Sequence, residues 1–317
     1  MSVSELRLKG SVDIGSNTLR LLIGTYDPQK GIKVHHSDRR ITRLGQGLDK
    51  GFLLEERMQE SIAAMSDFRK SFDDFGLTPD DLNIVATSAV RNAHNGAEFV
   101  ERVFRETGLT VRVIDGVEEA RITTLGVGAA VRGHTPRLIV DIGGGSVELT
   151  LVDSEGKILH SVSREIGVVR LTEKFLSRAP LDIEEYLLLQ EFVTEKISRI
   201  HDEFTRFPLE GVRIIGTAGT YTSVGFILSG AKEYNPKLIN GYCVKVSDAK
   251  KLLEEMGSLG LSGRIERYGI EKGREDLIIA GMCLAINVNL CFEQDHFYVS
   301  DYGMREGALI AMYLPTT

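Results

Sequence analysis

Long apolar runs are missing from this chain. No stretch of about 18 apolar residues occurs, so nothing in it reads as a membrane-spanning helix. Cysteine is scarce: Cys243, Cys283 and Cys291 stand in no metal-like spacing and read as reduced thiols of a cytoplasmic protein. The opening residues, MSVSELRLKGSVDIG, lack the basic and apolar regions of a signal peptide, which points the same way. Positive charge is in deficit. With a formal net charge of −7, no global basic field recruits nucleic acid or other polyanions, and an anionic substrate has to be held by a local arrangement. Aromatic residues are scattered and offer no stacking platform for bases. None of the seven histidines falls in H-E-x-x-H or another ligand spacing, so none is assigned to a metal. There is no linker rich in Pro, Gly or Ser between the halves. Neither G-x-x-x-x-G-K-[ST] nor a G-x-G-x-x-G between strand and helix occurs, which argues against a P-loop and against dinucleotide binding.

What is present is an alternation of strands and helices over 317 residues, enough for two domains of ordinary size. RLLIGTY and GIKVHH read as strands. From Leu54 the apolar residues Leu54, Met58, Ile62, Met65, Phe72 and Phe75 mark one stripe of a helix, closed by Gly76. NIVATSAV reads as a buried strand, NGAEFVERVFRETG as a helix and TVRVI as a strand. A helix of small residues follows Gly116, then the strand RLIVDI and a hairpin-like pair, VELTLVDSEGKILHSV. A short helix (171–176) and a long one (183–207) precede the strand GVRIIG and a helix from Thr220. The apolar helix REDLIIAGMCLAINVNLC, the strand FYVSD and a helix from Met304 end the chain. Such alternation predicts an α/β fold with helix-covered sheets.

Glycine is concentrated where strands turn. VDIGSNTLRLLIGTYD and VDIGGGSVELTLVDSE align from Val12 and Val140, 128 residues apart. Each has an apolar-Asp-Ile-Gly run, a small polar turn and a second strand. Glycine lets backbone approach a phosphate closely, and successive N–H groups form an anion-binding concavity. The plainer reading is a pair of tight hairpins whose aspartates only cap turns; the occurrence of two copies favours phosphate binding. A third cluster, IIGTAGTYTS (Ile214–Ser223), is a strand, a turn and a helix start, where Gly216, Thr217 and Gly219 suit an anion.

DIGSNTLR, ATSAVRNAHNG, GVEEARITTLGV, VDIGGGSVEL, IGVVRLTEKF, IIGTAGT, REDLIIAG and SDYGMREG follow one another from Asp13 to Gly307. In these the chain resembles the exopolyphosphatase and guanosine-pentaphosphate phosphohydrolase (Ppx/GppA) family. The resemblance implies an α/β fold of two similar actin-like, sugar-kinase-like (ribonuclease H-like) domains flanking a cleft. The domains would comprise residues 1–124, completed by 303–317, and residues 125–302. Long members continue into a further helical region, which this chain is expected to lack.

The resemblance also assigns roles. Glu119, beside Glu118, would be the general base on water. Asp141 and Glu148 would hold Mg²⁺ (or Mn²⁺) and that water. Gly143, Gly144, Gly145 and Ser146 would cradle terminal phosphates, with Asp13, Gly15, Ser16, Asn17 and Thr18 as their counterpart. Arg91 and Asn95 match polar positions of the family, and Arg20 and Arg274 are further phosphate contacts. Val147 stands where the family usually has threonine, which removes one hydroxyl. On residue types alone, Glu118 and Glu119 read as solvated acids at a helix N-terminus, and GREDLIIAG as ordinary capping. HHSDRR reads as a polar strand edge, with Arg39, Arg40 and Arg43 open to an anion path.

Hydrolysis of a phosphoanhydride needs neutralised oxygens, an in-line water and a base, and these residue types supply all three. The expected activity is Mg²⁺-dependent release of terminal phosphate from inorganic polyphosphate. The alternatives are conversion of guanosine pentaphosphate (pppGpp) to ppGpp, an ATP-dependent kinase or chaperone-like ATPase, and a non-catalytic (p)ppGpp or polyphosphate sensor. A cytoplasmic protein with no nucleic-acid or membrane partner follows, and a homodimer is compatible with it.

Overall fold

Val12, Ile14, Leu19, Leu21 and Ile23 alternate with Ser11, Asp13, Arg20 and Leu22, and a period of two gives a strand two distinct faces. A computed structural model, describing residues 6–133 and 135–315, turns this alternation into a sheet. The chain divides into two units, Met1–Ala129 with Tyr302–Thr317, and Ala130–Asp301.

The first unit opens with β1 (Lys9–Ile14), β2 (Thr18–Asp27) and β3 (Gly31–Ile41), followed by α1 (Glu55–Asp74) and β4 (Leu82–Ala86). It continues through α2 (Ser88–Asn92), α3 (Gly96–Thr107), β5 (Arg112–Val113) and α4 (Gly116–Ala130). Strand order is β3-β2-β1-β4-β5, antiparallel among the first three and parallel from β1 to β4 to β5. The stretch NIVATSAV is strand only to Ala86; its last residues begin α2. Val12, Ile14, Leu19, Leu21 and Ile23 share one core with Met65, Phe68 and Phe72 of α1 and Phe99 and Val103 of α3. The chain leaves α1 through Gly76, whose φ of +66° is the left-handed conformation that favours glycine.

The second unit holds β6 (Arg137–Ile142), β7 (Val147–Val152), β8 (Ile158–Arg164), α5 (Val168–Phe175) and α6 (Ile183–Phe204). Then come β9 (Arg213–Thr217), α7 (Ala218–Ser229), α8 (Pro236–Ile239), β10 (Cys243–Lys245) and α9 (Val246–Gly257). It ends with α10 (Leu261–Tyr268), α11 (Ile278–Cys291) and β11 (His296–Val299). Asp182 starts α6, its Oδ1 accepting from the Glu184 N–H at 2.9 Å, and Leu189, Val193, Ile197, Ile200 and Phe204 form its buried stripe. Helix α11 is buried on nearly every side, with Asn287 and Asn289 its only polar residues. Elements α8, β10, α9 and α10 have no counterpart in the sequence reading, although Ala249, Leu252, Leu253 and Met256 carry a helical spacing.

The sheet order β10-β11-β9-β6-β7-β8 repeats the first sheet. β8-β7-β6-β9-β11 matches β3-β2-β1-β4-β5 in order and in the direction of each pair, with β10 added at the edge. The duplication therefore extends over whole units.

The last helix, α12 (Met304–Ala311), belongs to the first unit. It covers the face bearing Ser11 and Asp13. The Ser11 hydroxyl donates to the Arg305 carbonyl and Asn83 Nδ2 to the Ala308 carbonyl, both at 2.9 Å. Among the described residues no helix is long and apolar enough to cross a membrane.

Candidate active site

Each glycine turn closes a two-residue hairpin: the Gly15 N–H donates to the Thr18 carbonyl at 3.2 Å, the Gly143 N–H to the Ser146 carbonyl at 3.0 Å. In each, a later segment takes up the turn's carbonyls. The Gly45 N–H donates to Ser16 O at 2.7 Å, and those of Thr42 and Arg43 donate to Asn17 O. In the second copy Val168, Val169 and Gly167 donate to the carbonyls of Gly143, Gly144 and Gly145, at 3.0, 2.9 and 3.2 Å. A trans peptide sets its N–H opposite its C=O. The N–H groups of Asn17 and Thr18, and of Gly144, Gly145 and Ser146, therefore point away from those segments. Outward-turned consecutive amides are an anion nest. The close approach needs glycine on the covering segment: a Cβ on Gly167 would lie 2.4 Å from Gly144 O.

The base candidate sits in the first unit. Asp115 Oδ1 accepts from the N–H groups of Val117 and Glu118, at 3.0 and 2.8 Å, and so starts α4. Glu118 and Glu119 then diverge. Glu118 stays half-exposed and pairs with Arg112 at 3.1 Å, whereas Glu119 is buried and accepts from Arg91 Nη1 at 2.7 Å on Oε2. The same Nη1 is anchored on the Ile114 carbonyl at 2.9 Å. Burial raises the proton affinity of Glu119 above the ordinary carboxylate range; Arg91 works against this, and the neighbouring Asp13 adds to it. Asp13 itself is pushed up to about 6, chiefly by burial, against the pull of Arg20 and Arg305 and with a push from Glu306. Glu119, Asp13 and Arg91 thus form one electrostatic group at the base of the first glycine turn.

In the second unit strand register assembles an acidic row. Asp141 of β6 stands opposite Glu148 of β7 and beside Thr217 of β9, and Glu148 stands opposite Ser163 of β8. Directly paired residues share a sheet face. Glu148 is buried, and the Ser163 hydroxyl donates to its Oε1 at 2.6 Å. Gly216, Thr217 and Gly219 lie at the passage from β9 into α7, where Ala218 adopts a φ of +67°. The Arg274 guanidinium rests on this turn: a Cβ on Gly219 would meet its Nη1 at 2.5 Å. Asn95 stands apart. Its Oδ1 accepts from the Leu53 N–H at 2.8 Å and its Nδ2 donates to the Leu53 carbonyl at 3.0 Å, so its amide clamps the loop before α1.

A family model described as the Ppx/GppA phosphatase family matches residues 22–315. The chain belongs to the Ppx/GppA phosphatase family. Exopolyphosphatase 2 of Mycobacterium tuberculosis is 28% identical, covering 95% of this chain and 97% of its own. A bifunctional 3-dehydroquinate synthase/phosphatase of Fusobacterium nucleatum is 30% identical over 96% of this chain, which spans only 46% of that protein. Among solved structures, the Aquifex aeolicus Ppx/GppA family member has a TM-score of 0.81 at 31% identity, covering 97% of this chain and 98% of that one. An exopolyphosphatase from Cytophaga hutchinsonii reaches a TM-score of 0.87 at 26% identity, covering 96% and 97%.

Two parts of this candidate site escape a reading of roles by motif. Arg305 and Glu306 of SDYGMREG carry no role in the motif pattern; both act on Asp13, and buried Glu306 accepts from Arg305 Nε at 2.8 Å and from the Gly303 N–H at 3.0 Å. The segments that hold the turns likewise carry no role in the motif pattern, although IGVVRLTEKF contains the second. Their signal is an apolar-Gly pair after the third strand of each copy, Leu44-Gly45 and Ile166-Gly167.

Proposed function

We propose that the protein is an exopolyphosphatase that removes the terminal phosphate of inorganic polyphosphate. The observation that carries this is the buried Glu119, held on one oxygen by Arg91 and raised in proton affinity beside Asp13 and the first glycine turn. A raised proton affinity makes such a carboxylate a stronger base than one in water. Glu119 Oε1, the oxygen Arg91 does not take, would accept a proton from water while the water oxygen bonds to the terminal phosphorus. The bridging P–O bond breaks, and the products are orthophosphate and a chain one unit shorter. The outward N–H groups of the first turn would hold the phosphate oxygens in place.

Among the described residues no cluster of three or more His, Cys, Asp or Glu suited to a metal occurs. A divalent ion would rest on Asp141 and Glu148, two oxygen ligands that suit Mg²⁺ (or Mn²⁺) completed by water and substrate oxygens. When bound, it would neutralise charge on the phosphate oxygens. Asp141→Asn should then raise the Mg²⁺ concentration needed for half-maximal activity.

Support for the substrate comes from Exopolyphosphatase 2 of M. tuberculosis, matched over almost its whole length. The test is phosphate release from polyphosphate of defined length, pppGpp and ATP at equal concentration of chain ends. Faster release from polyphosphate is expected. A clear preference for pppGpp would make the protein a pppGpp 5′-phosphohydrolase, and no release from any of them would overturn the hydrolase reading in favour of a sensor.

A further inference from the structure

We infer that Arg20 and Arg39 form a basic row that takes the phosphates of a polyanion behind the one being cleaved, with Arg39 setting a preference for longer chains. This rests on the polyphosphate reading above. Asp13 of β1 stands opposite Arg20 of β2, and Arg20 opposite Arg39 of β3. All three side chains therefore leave the same face, in a line that spans two strand spacings, about 10 Å. Exposure rises along it: Asp13 and Arg20 are half-buried, whereas Arg39 at the sheet edge is exposed.

The register also tells neighbouring arginines apart. Arg40 stands opposite Leu19, a core residue of the other face, and pairs with Asp38. Arg40 is therefore off the row although it adjoins Arg39 in sequence. The same place in the second sheet carries the opposite charge, since Thr217, Asp141, Glu148 and Ser163 include no cation. Two sheets of one topology have thus acquired opposite rows, acidic in one and mainly basic in the other. In a protein of net charge −7, such a row is where a polyanion gains attraction locally.

The row makes contact depend on length. Tripolyphosphate held at the glycine turn presents little beyond the reacting end, whereas a long chain reaches the edge strand. The experiment measures kcat and KM for long-chain polyphosphate and for tripolyphosphate, at several salt concentrations. It uses the wild type, Arg39→Ala, Arg39→Lys and Arg40→Ala, each checked by thermal melting.

For Arg39→Ala, KM for the long chain should rise about two- to fivefold, the range of one exposed charge contact. Its salt dependence should become shallower. Both constants for tripolyphosphate should stay within about twofold. Arg39→Lys should recover most of the effect, and Arg40→Ala should behave as wild type. Equal shifts for long and short chains, no shift in either, or the same shift in Arg40→Ala would overturn the inference. A wild type that releases no phosphate from polyphosphate removes the substrate reading and this proposal together, a result distinct from the others.

Discussion

Glu119 is caught between opposing influences: burial and Asp13 favour its protonated form, Arg91 favours the charged one, and the raised side wins. A carboxylate so balanced takes a proton more readily than one in water. Glu119→Gln keeps size and the Arg91 contact but cannot accept a proton, so kcat should fall about 10²–10⁴-fold with KM little changed. Turnover near wild type in steady-state phosphate release would remove Glu119 from this role. Asp13 gives a stability prediction. Its pKa rises from 3.8 to about 6 on folding, so the folded state holds the proton more tightly than the unfolded chain. That contribution is fully present below pH 4 and is lost as pH rises through about 6. Asp13→Asn should therefore be more stable than wild type by about 1–3 kcal/mol at pH 7.5, with the gap closing towards pH 4. Urea unfolding at both values decides it; a gap of equal size at each would mean that the Asp13 charge is not the cause.

At the level of elements, local pattern and long-range contact part company. Helices α1, α3 and α6 were readable because their apolar stripe and ends lie within one window of sequence. Both hairpins were readable for the same reason. The clamp made by Asn95 was not, since Asn95 finds its partner at Leu53. Glycines of α4 and α12 make the same point. A Cβ on Gly126 would lie 2.0 Å from the Gly303 carbonyl oxygen, and one on Gly307 would lie 1.8 Å from that of Ile122. The two helices therefore cross backbone against backbone, though the residues involved are far apart in sequence. This crossing fixes the helix that carries Glu119. Gly307→Ala should cost about 1–3 kcal/mol through overpacking and reduce kcat by displacing that helix. Gly128, also in α4, has nothing within 4 Å of its Cβ position. Gly128→Ala should instead be neutral or stabilising by up to about 1 kcal/mol. Chemical denaturation of both variants tests this, and equal effects would refute the close-crossing explanation.

For the whole molecule, the repeat visible in sequence was one hairpin, whereas in structure it is a five-strand sheet order found twice. Side chains diverged while topology stayed, so a sequence comparison found only the hairpins, which share Val-Asp-Ile-Gly. The chain's return to the first unit was implied only by family resemblance, because a helix carries no sequence mark of the unit it joins. Its physical basis is a set of contacts with the first sheet. Met304 and Ala308 share a cluster with Val85, Ile114 and Ile122. The Tyr313 hydroxyl donates to the Arg7 carbonyl at 2.6 Å and the Gly24 carbonyl at 3.1 Å. The core of Ala130–Asp301 includes no residue of α12. Ending the chain after Asp301 should therefore uncover the Ser11 and Asp13 face and leave the Arg305 and Ala308 acceptors missing. Hydrogen exchange should show β1, β2 and β4 losing protection in the truncated protein, while β6, β7 and β9 keep theirs. If protection fell equally in both sheets, the two units would be a single cooperative structure, and the assignment of α12 to the first unit would carry no energetic meaning.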